Sequence, residues 1–323
     1  MADEGSHWSS DFVPIMDMPT HVMKCGQLPP LAEQSDTPSP NPRFLFLVIP
    51  GNPGIIGYYQ VFMEELWRLS GCSVPVWGIS NGGHVAIPNS NNNLDLVKTS
   101  YQVCSLQGQI KHKVAFVKEH VPQDVKVVLI GHSIGCYMIL HMMSGLRDSH
   151  HVLRAFLLFP TIERMAESPK GQIATPLLKY LRWLGLGIVY ILSYLSPHLQ
   201  YRMILWYFRD RHVHGSVYNA SMNLFDPFTV GNVIYMALQE MLTVKELDVA
   251  LVQEHLPKLK FYYGVEDYWC PQKYYREMKA KFPHADVRIC EKGLDHAFVI
   301  DSSEDMAAIL WDWFKPDLHK AVD

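Results

Sequence analysis

The stretch VKVVLIGHSIG, Val125–Gly135, decides the reading of this sequence. Val125–Ile130 is a largely apolar run of strand length, as expected of a strand covered on both faces of a parallel sheet. Ile134–Leu146 follows with helical spacing. Between them Gly131-His132-Ser133-Ile134-Gly135 has the form G-x-S-x-G. A serine in that setting sits on a strained strand-to-helix turn that lifts its hydroxyl above the sheet, and the small glycines let neighbouring backbone come close. The same turn aims a helix N-terminus, with its unpaired N–H groups, at the reacting centre. Ser133 is the candidate nucleophile.

Working outward, Phe44–Ile49, Arg154–Phe159 and Lys260–Tyr263 read as further buried strands, with Val74–Ile79 and Asp286–Cys290 as weaker ones. Helical spacing occupies Tyr58–Leu69, Leu96–His120, Tyr274–Phe282 and Ser302–Phe314. Strand and helix alternate, which predicts a mostly parallel central sheet flanked by helices, an α/β fold in a single domain spanning 1–323. Ahead of Phe44 this domain holds a short N-terminal piece of strand character and a Pro/Ser-rich loop, Gln34–Arg43. No repeat of 20–50 residues is visible.

Composition narrows the function classes. With 48% hydrophobic and 19% charged residues, the chain of 323 residues has globular rather than disordered usage. A net charge of −4 gives no global basic field for nucleic acid, so no nucleic-acid partner is expected. The six cysteines form no C-x-x-C pair, which argues against a zinc ribbon or a dense disulfide framework and fits a reducing compartment. The first 40 residues carry Asp3, Glu4 and Asp11 and no apolar run behind a basic start, so no secretory signal is expected, and the sequon Asn219-Ala-Ser221 loses its meaning.

A serine hydroxyl needs a base to take its proton and a carboxylate to orient that base. After a G-x-S-x-G elbow these partners follow in the order acid, then histidine. The loop after Lys260–Tyr263 reads Gly264-Val265-Glu266-Asp267, and Asp267 is the candidate acid, with Glu266 and Asp226 as alternatives. His296, 29 residues further on, is the histidine in the loop between the last strand and the last helix, and is the candidate base. The oxyanion requires two N–H donors. Ile134 supplies one directly after the nucleophile; Asn52, in the Pro50-Gly51-Asn52-Pro53-Gly54 turn, supplies the other, because Pro53 has no N–H. Together these positions describe the α/β-hydrolase fold. Gly185-Leu186-Gly187 lacks the setting of a dinucleotide site, and His212-Val213-His214 lacks metal-ligand partners, so neither cofactor nor metal is expected.

The segment 160–228 interrupts the alternation between the sixth and seventh strands and reads as a helical insertion. Between Glu167 and Asp210 it has no acidic residue, while Lys170, Lys179, Arg182, Arg202 and Arg209 stand among Leu, Ile, Tyr and Trp. Its apolar stretch, Leu184–Leu195, is shorter than the ~20 residues that cross a bilayer. Two compatible readings follow: a lid over the site, and a face whose aromatics sit in a lipid surface while the cations meet head groups.

The Ile49–Gly54 turn followed by Gly57-Tyr58-Tyr59, the Gly131–Gly135 elbow, the Tyr263–Asp267 acid loop and Leu294-Asp295-His296-Ala297-Phe298 together resemble the lipid droplet-associated hydrolase family. The resemblance covers the chain from about Phe44 onward. It implies a serine lipid hydrolase with Ser133 as nucleophile, Asp267 as orienting acid and His296 as base. Neutral-lipid esters, sterol esters among them, are the implied substrates, and lipid droplets and the cytosolic face of the endoplasmic reticulum the implied location, reached through 177–208. A role in droplet turnover or coalescence is also associated with the family. That leaves a rival reading, a droplet-surface tethering protein with weak or vestigial hydrolysis, and a third in which an alcohol intercepts the acyl-enzyme.

Overall fold

Every side chain of Phe44–Ile49 is buried, and this strand forms part of the middle of the sheet. The computed structural model describes residues 7–28, 43–87 and 103–322, with side chains to 318. The loop read at Gln34–Arg43 lies outside the described residues up to position 42, as does the start of the helix read at Leu96–His120. The strands are β1 (Trp8–Ile15), β2 (Met18–Cys25), β3 (Phe44–Ile49), β4 (Val76–Ile79), β5 (Lys126–His132), β6 (His151–Leu158), β7 (Leu259–Tyr263) and β8 (Asp286–Ile289). They form one sheet of eight in the order β1-β2-β4-β3-β5-β6-β7-β8. β1 and β2 are antiparallel, β2 is antiparallel to β4, and every other pair is parallel.

The helices are α1 (Gln60–Leu69), α2 (Leu106–His120), α3 (Ile134–Leu146), α4 (Pro169–Pro176), α5 (Arg182–Ser193), α6 (Pro197–Tyr207), α7 (Gly215–Met222), α8 (Pro227–Thr243), α9 (Val249–His255), α10 (Gln272–Lys281) and α11 (Ser303–Val322). α1 packs with α11, while α2 and α9 pack with α3. These layers cover apolar side chains that leave the water on both sides of the strands. α4 to α9 all fall between β6 and β7, so the helical segment does not stop near Phe228. Asp226-Pro227 has the look of a turn, but Asp226 Oδ2 accepts the Thr229 N–H at 2.7 Å and Pro227 opens α8. An Asp N-cap followed by proline at the first helical position is a helix start.

The register sets the site. Ile49 of β3 pairs with Gly131 of β5, Leu158 of β6 with Tyr262 of β7, and Tyr263 with Ile289 of β8. The carboxyl ends of five parallel strands therefore share one rim, and ligands of open α/β sheets bind outside such ends.

Candidate active site

Ser133 occupies the step from β5 into α3 with φ 54° and ψ −123°, a conformation that strains any side chain with a Cβ. The strain persists because the turn is crowded on both sides. A Cβ at Gly135 would lie 2.3 Å from the Ile49 carbonyl oxygen, and one at Gly131 would lie 2.8 Å from Ile139 Cδ1. Glycine at 131 and 135 is thus a packing requirement of the elbow, and a side chain at either position would push β3 or α3 away from Ser133.

The hydroxyl of Ser133 meets His296 Nε2 at 2.9 Å, and His296 Nδ1 meets Asp267 Oδ2 at 2.7 Å. A carboxylate can only accept, so Nδ1 carries the hydrogen and Nε2 is left to accept from the serine O–H. Three loops, separated by up to 163 residues, are joined in this relay. Asp267 also accepts from the backbone N–H groups of Trp269 at 2.7 Å and Cys270 at 3.1 Å, and from the Cys270 thiol at 2.9 Å. Burial pushes its carboxyl up, but the His296 hydrogen bond and charge and the Cys270 donors outweigh it, so the acid is held below its ordinary value. Glu266 is exposed at the neighbouring loop position, and Asp226 caps α8. Asp267, Cys270 and His296 place three donor atoms within 4.8 Å of one another; their hydrogens are already committed to Asp267.

His132, to which no role was attached in the sequence, holds the base loop. Its Nε2 lies 2.8 Å from the His296 carbonyl oxygen and its Nδ1 2.6 Å from the Tyr59 hydroxyl, which in turn accepts the Gly51 N–H at 2.9 Å. Only one assignment satisfies all three: Tyr59 donates to Nδ1, and Nε2–H donates to the carbonyl. Burial, followed by the neighbouring His296, lowers the His132 imidazole to about 3, so it stays neutral in this tautomer. The fingerprint at Gly57-Tyr58-Tyr59 contained the clue, but the link from Tyr59 to His132 crosses 73 residues.

Asn52 and Ser133 line one cavity, and Ile134 contributes the first amide of α3, which has no preceding helical turn to bond to. With the Gly51 N–H committed to Tyr59, the Asn52 N–H is the one that remains in the turn before Pro53, and it meets no acceptor among the described residues. The Asn52 side chain points to the insertion: Nδ2 donates to the Val233 carbonyl at 3.1 Å and to Glu240 Oε1 at 3.0 Å. Glu240 is 4% exposed, and burial pushes its carboxyl up to about 8 against the downward pull of Asn52.

A raised carboxyl pKa makes the stability it supports complete below about pH 4.5; that stability declines as pH rises toward 8 and is constant above. Glu240→Gln is therefore expected to match the wild type near pH 4 and to exceed it near pH 9, by on the order of 4 kcal/mol. Thermal melts across that range check this, and parallel melting curves for the two proteins would refute it.

The cavity has a volume of about 1170 Å³. Ser133, His296, Asn52 and Glu240 line it together with Leu192, Leu199, Ile204, Phe208, Leu224, Phe225, Val233 and Met241 from α5, α6 and its C-cap, α8 and the Asn223–Phe225 turn. It exceeds the usual range for small-ligand pockets, roughly 300–1,000 Å³, and its lining is overwhelmingly hydrocarbon.

A family model described as lipid-droplet associated hydrolase matches residues 42–299. The chain belongs to this family. Curated members include lipid droplet-associated hydrolases of Gallus gallus, 44% identical over 96% of each chain, and of Homo sapiens, 41% identical over 93% of each. A member from Drosophila melanogaster is 33% identical over 96% of this chain and 99% of its own. Among solved structures, a thermophilic esterase from Thermogutta terrifontis aligns with TM-score 0.57 and 14% identity over 96% of this chain and 99% of its own. An epoxide hydrolase from Vigna radiata aligns over the same shares with TM-score 0.60 and 14% identity. At such identity these neighbours establish the α/β-hydrolase fold alone. Family membership makes the chain a hydrolase.

Proposed function

We propose that this hydrolase cleaves carboxylic esters of neutral lipids, sterol esters or acylglycerols, at the surface of lipid droplets and the cytosolic face of the endoplasmic reticulum. One observation carries the reading: the Ser133–His296–Asp267 relay opens on a large hydrocarbon-lined cavity whose outer helices expose aromatic side chains to the surroundings. Location rests on the names of the family and its members together with that exposed face.

In the proposed mechanism Ser133 Oγ attacks the acyl carbon while His296 Nε2 takes its proton. Asp267 holds the imidazole through Nδ1–H and balances the charge it gains. The N–H groups of Ile134 and Asn52 hold the oxyanion of the tetrahedral intermediate, which collapses as His296 returns the proton to the leaving alcohol. Water, deprotonated by the same imidazole, then releases the fatty acid and restores the serine. Each methylene taken into the cavity contributes about 0.8 kcal/mol, so long acyl chains are favoured over short ones.

The test is hydrolysis by purified protein across sterol, acylglycerol and p-nitrophenyl esters of increasing chain length, with Ser133→Ala as blank. Serine-dependent turnover that improves from acetyl to long acyl esters is expected. Turnover confined to acetyl esters, or equal in the blank, ends the neutral-lipid reading. Added glycerol or sterol as acceptor reports acyl transfer by the product formed. The exposed face also favours a second reading, a tether on the droplet surface whose biology does not depend on turnover.

A further inference from the structure

The turn that would hold the oxyanion has few ties of its own. Pro50 and Pro53 have no N–H, the Gly51 N–H goes to Tyr59, the Gly54 carbonyl takes the Asn81 N–H at 2.8 Å, and the Pro53 carbonyl takes His84 Nδ1–H at 2.6 Å. Among the described residues Asn52 itself is held through its side chain alone. The Val233 carbonyl can only accept, so the atom facing it is Nδ2; Glu240 Oε1 then accepts the second hydrogen of the same nitrogen. Asn52 Oδ1 is buried and meets no partner among the described residues, which leaves Nδ2 as the hold on this residue there. Both acceptors lie on α8, 181 and 188 residues away along the chain. α8 grips the neighbouring loop as well, Asn232 Nδ2 donating to the Gly83 carbonyl at 2.8 Å.

We propose that Glu240 is a positioning residue for the oxyanion turn: its buried carboxyl fastens the Asn52 side chain to α8 and so keeps the Asn52 backbone N–H aimed at the cavity beside Ser133. The proposal rests on the reading of Asn52 as an oxyanion donor. Chemistry favours an acid here over an ionised group. A carboxylate beside a developing oxyanion would oppose it, whereas the raised pKa leaves Glu240 neutral at pH 7, an acceptor that adds no charge. The arrangement also ties the helical insertion to the catalytic rim, so a shift of α8 is transmitted to the donor.

The full-length protein is assayed with p-nitrophenyl butyrate, together with the rate at which a fluorophosphonate labels Ser133. Glu240→Leu, which removes the acceptor, is expected to lower kcat about 10- to 100-fold with KM within about twofold, the scale of a misplaced catalytic group. Glu240→Gln keeps a neutral acceptor and is expected to restore kcat to near the wild-type value, which a purely space-filling role would not require. Asn52→Ala removes this tie and the one to Val233, and adding Glu240→Leu to it should lower kcat no further than Asn52→Ala alone. Wild-type kcat in Asn52→Ala, additive losses in the double variant, or equal losses in Glu240→Gln and Glu240→Leu would each overturn the proposal. Asn52→Ala decides the matter should Glu240→Leu not fold. Labelling that persists in Ser133→Ala would instead defeat the serine mechanism itself, an outcome separate from these.

Discussion

Ser133→Ala is expected to lower ester hydrolysis by roughly 10⁶-fold, because the base and acid lose the atom on which they act. Nothing nearby substitutes for the hydroxyl. Thr161 Oγ1 lies 3.5 Å from Ser133 Oγ, yet the hydrogen bond to His296 Nε2 belongs to the serine. His296→Ala should cost about as much, and the double variant scarcely more, since the residues act as one unit. Asp267→Asn is expected to cost less, about 10⁴-fold, and for a different reason. The Trp269 and Cys270 N–H groups require an acceptor at Oδ1, so the new amide nitrogen faces His296 Nδ1 and forces that nitrogen to accept. The hydrogen then moves to Nε2, where the serine proton should go. Steady-state kinetics with a p-nitrophenyl ester on purified proteins measures all of these. Ser133→Ala activity within tenfold of the wild type would eliminate the nucleophile assignment.

The second large effect concerns the outer face of the insertion. Trp183 is 70% exposed, Trp206 66% and Tyr207 74%, and Tyr180, Ile191 and Tyr194 stand beside them in the sequence with similar exposure. Lys179, Arg182 and Arg202 make no ion pair among the described residues, and Arg182 and Arg209 lie over the rings of Trp183 and Trp206. Among the described residues no helix is long and apolar enough to cross a membrane; α5, with 12 residues, is about 18 Å long against a hydrocarbon core of about 30 Å. The geometry suits helices lying in the plane of a lipid surface, aromatics down and cations at the head groups. Burying a large apolar side chain is worth roughly 1.5–3 kcal/mol. Tyr180→Ala, Trp183→Ala and Tyr194→Ala combined are therefore expected to weaken partition onto phosphatidylcholine-coated triacylglycerol droplets at least about 100-fold. Flotation with the purified variant checks this, and p-nitrophenyl butyrate turnover in solution should remain, because Ser133 is untouched. Unchanged partition would remove the lipid-surface reading. If droplet size in cells responds to this triple variant but not to Ser133→Ala, tethering rather than hydrolysis accounts for the protein's biology.

Some elements were readable residue by residue. β3 and β5 were legible because strands covered on both faces are apolar almost throughout, and the elbow because its strand, turn and helix are contiguous. Boundaries were less so. β6 begins at His151, where exposed His151 and buried Val152 pair with Lys126 and Val127, and ends before Phe159, whose φ of 49° turns the chain away. The hairpin of β1 and β2 turns through Met16 and Asp17, both with positive φ, although neither residue advertises such a turn as Asn-Gly would. α8 went unread behind Asp226-Pro227, and with it Glu240.

By itself, then, the sequence determined which residues stand at the ends of strands: Ser133 and Asp267 follow apolar runs and His296 follows the last, more polar strand, and that order is a property of neighbours in the chain. What only the tertiary structure decided is how those residues are held. His132 reaches from the nucleophile's turn to the base loop and Tyr59, Cys270 turns its thiol back on Asp267, and Asn52 is fastened to Glu240 across 188 residues. Local pattern reflects local backbone preference, whereas these contacts exist because the register of parallel strands brings separate loops to one rim and burial then selects hydrogen-bond partners that no spacing in the chain encodes.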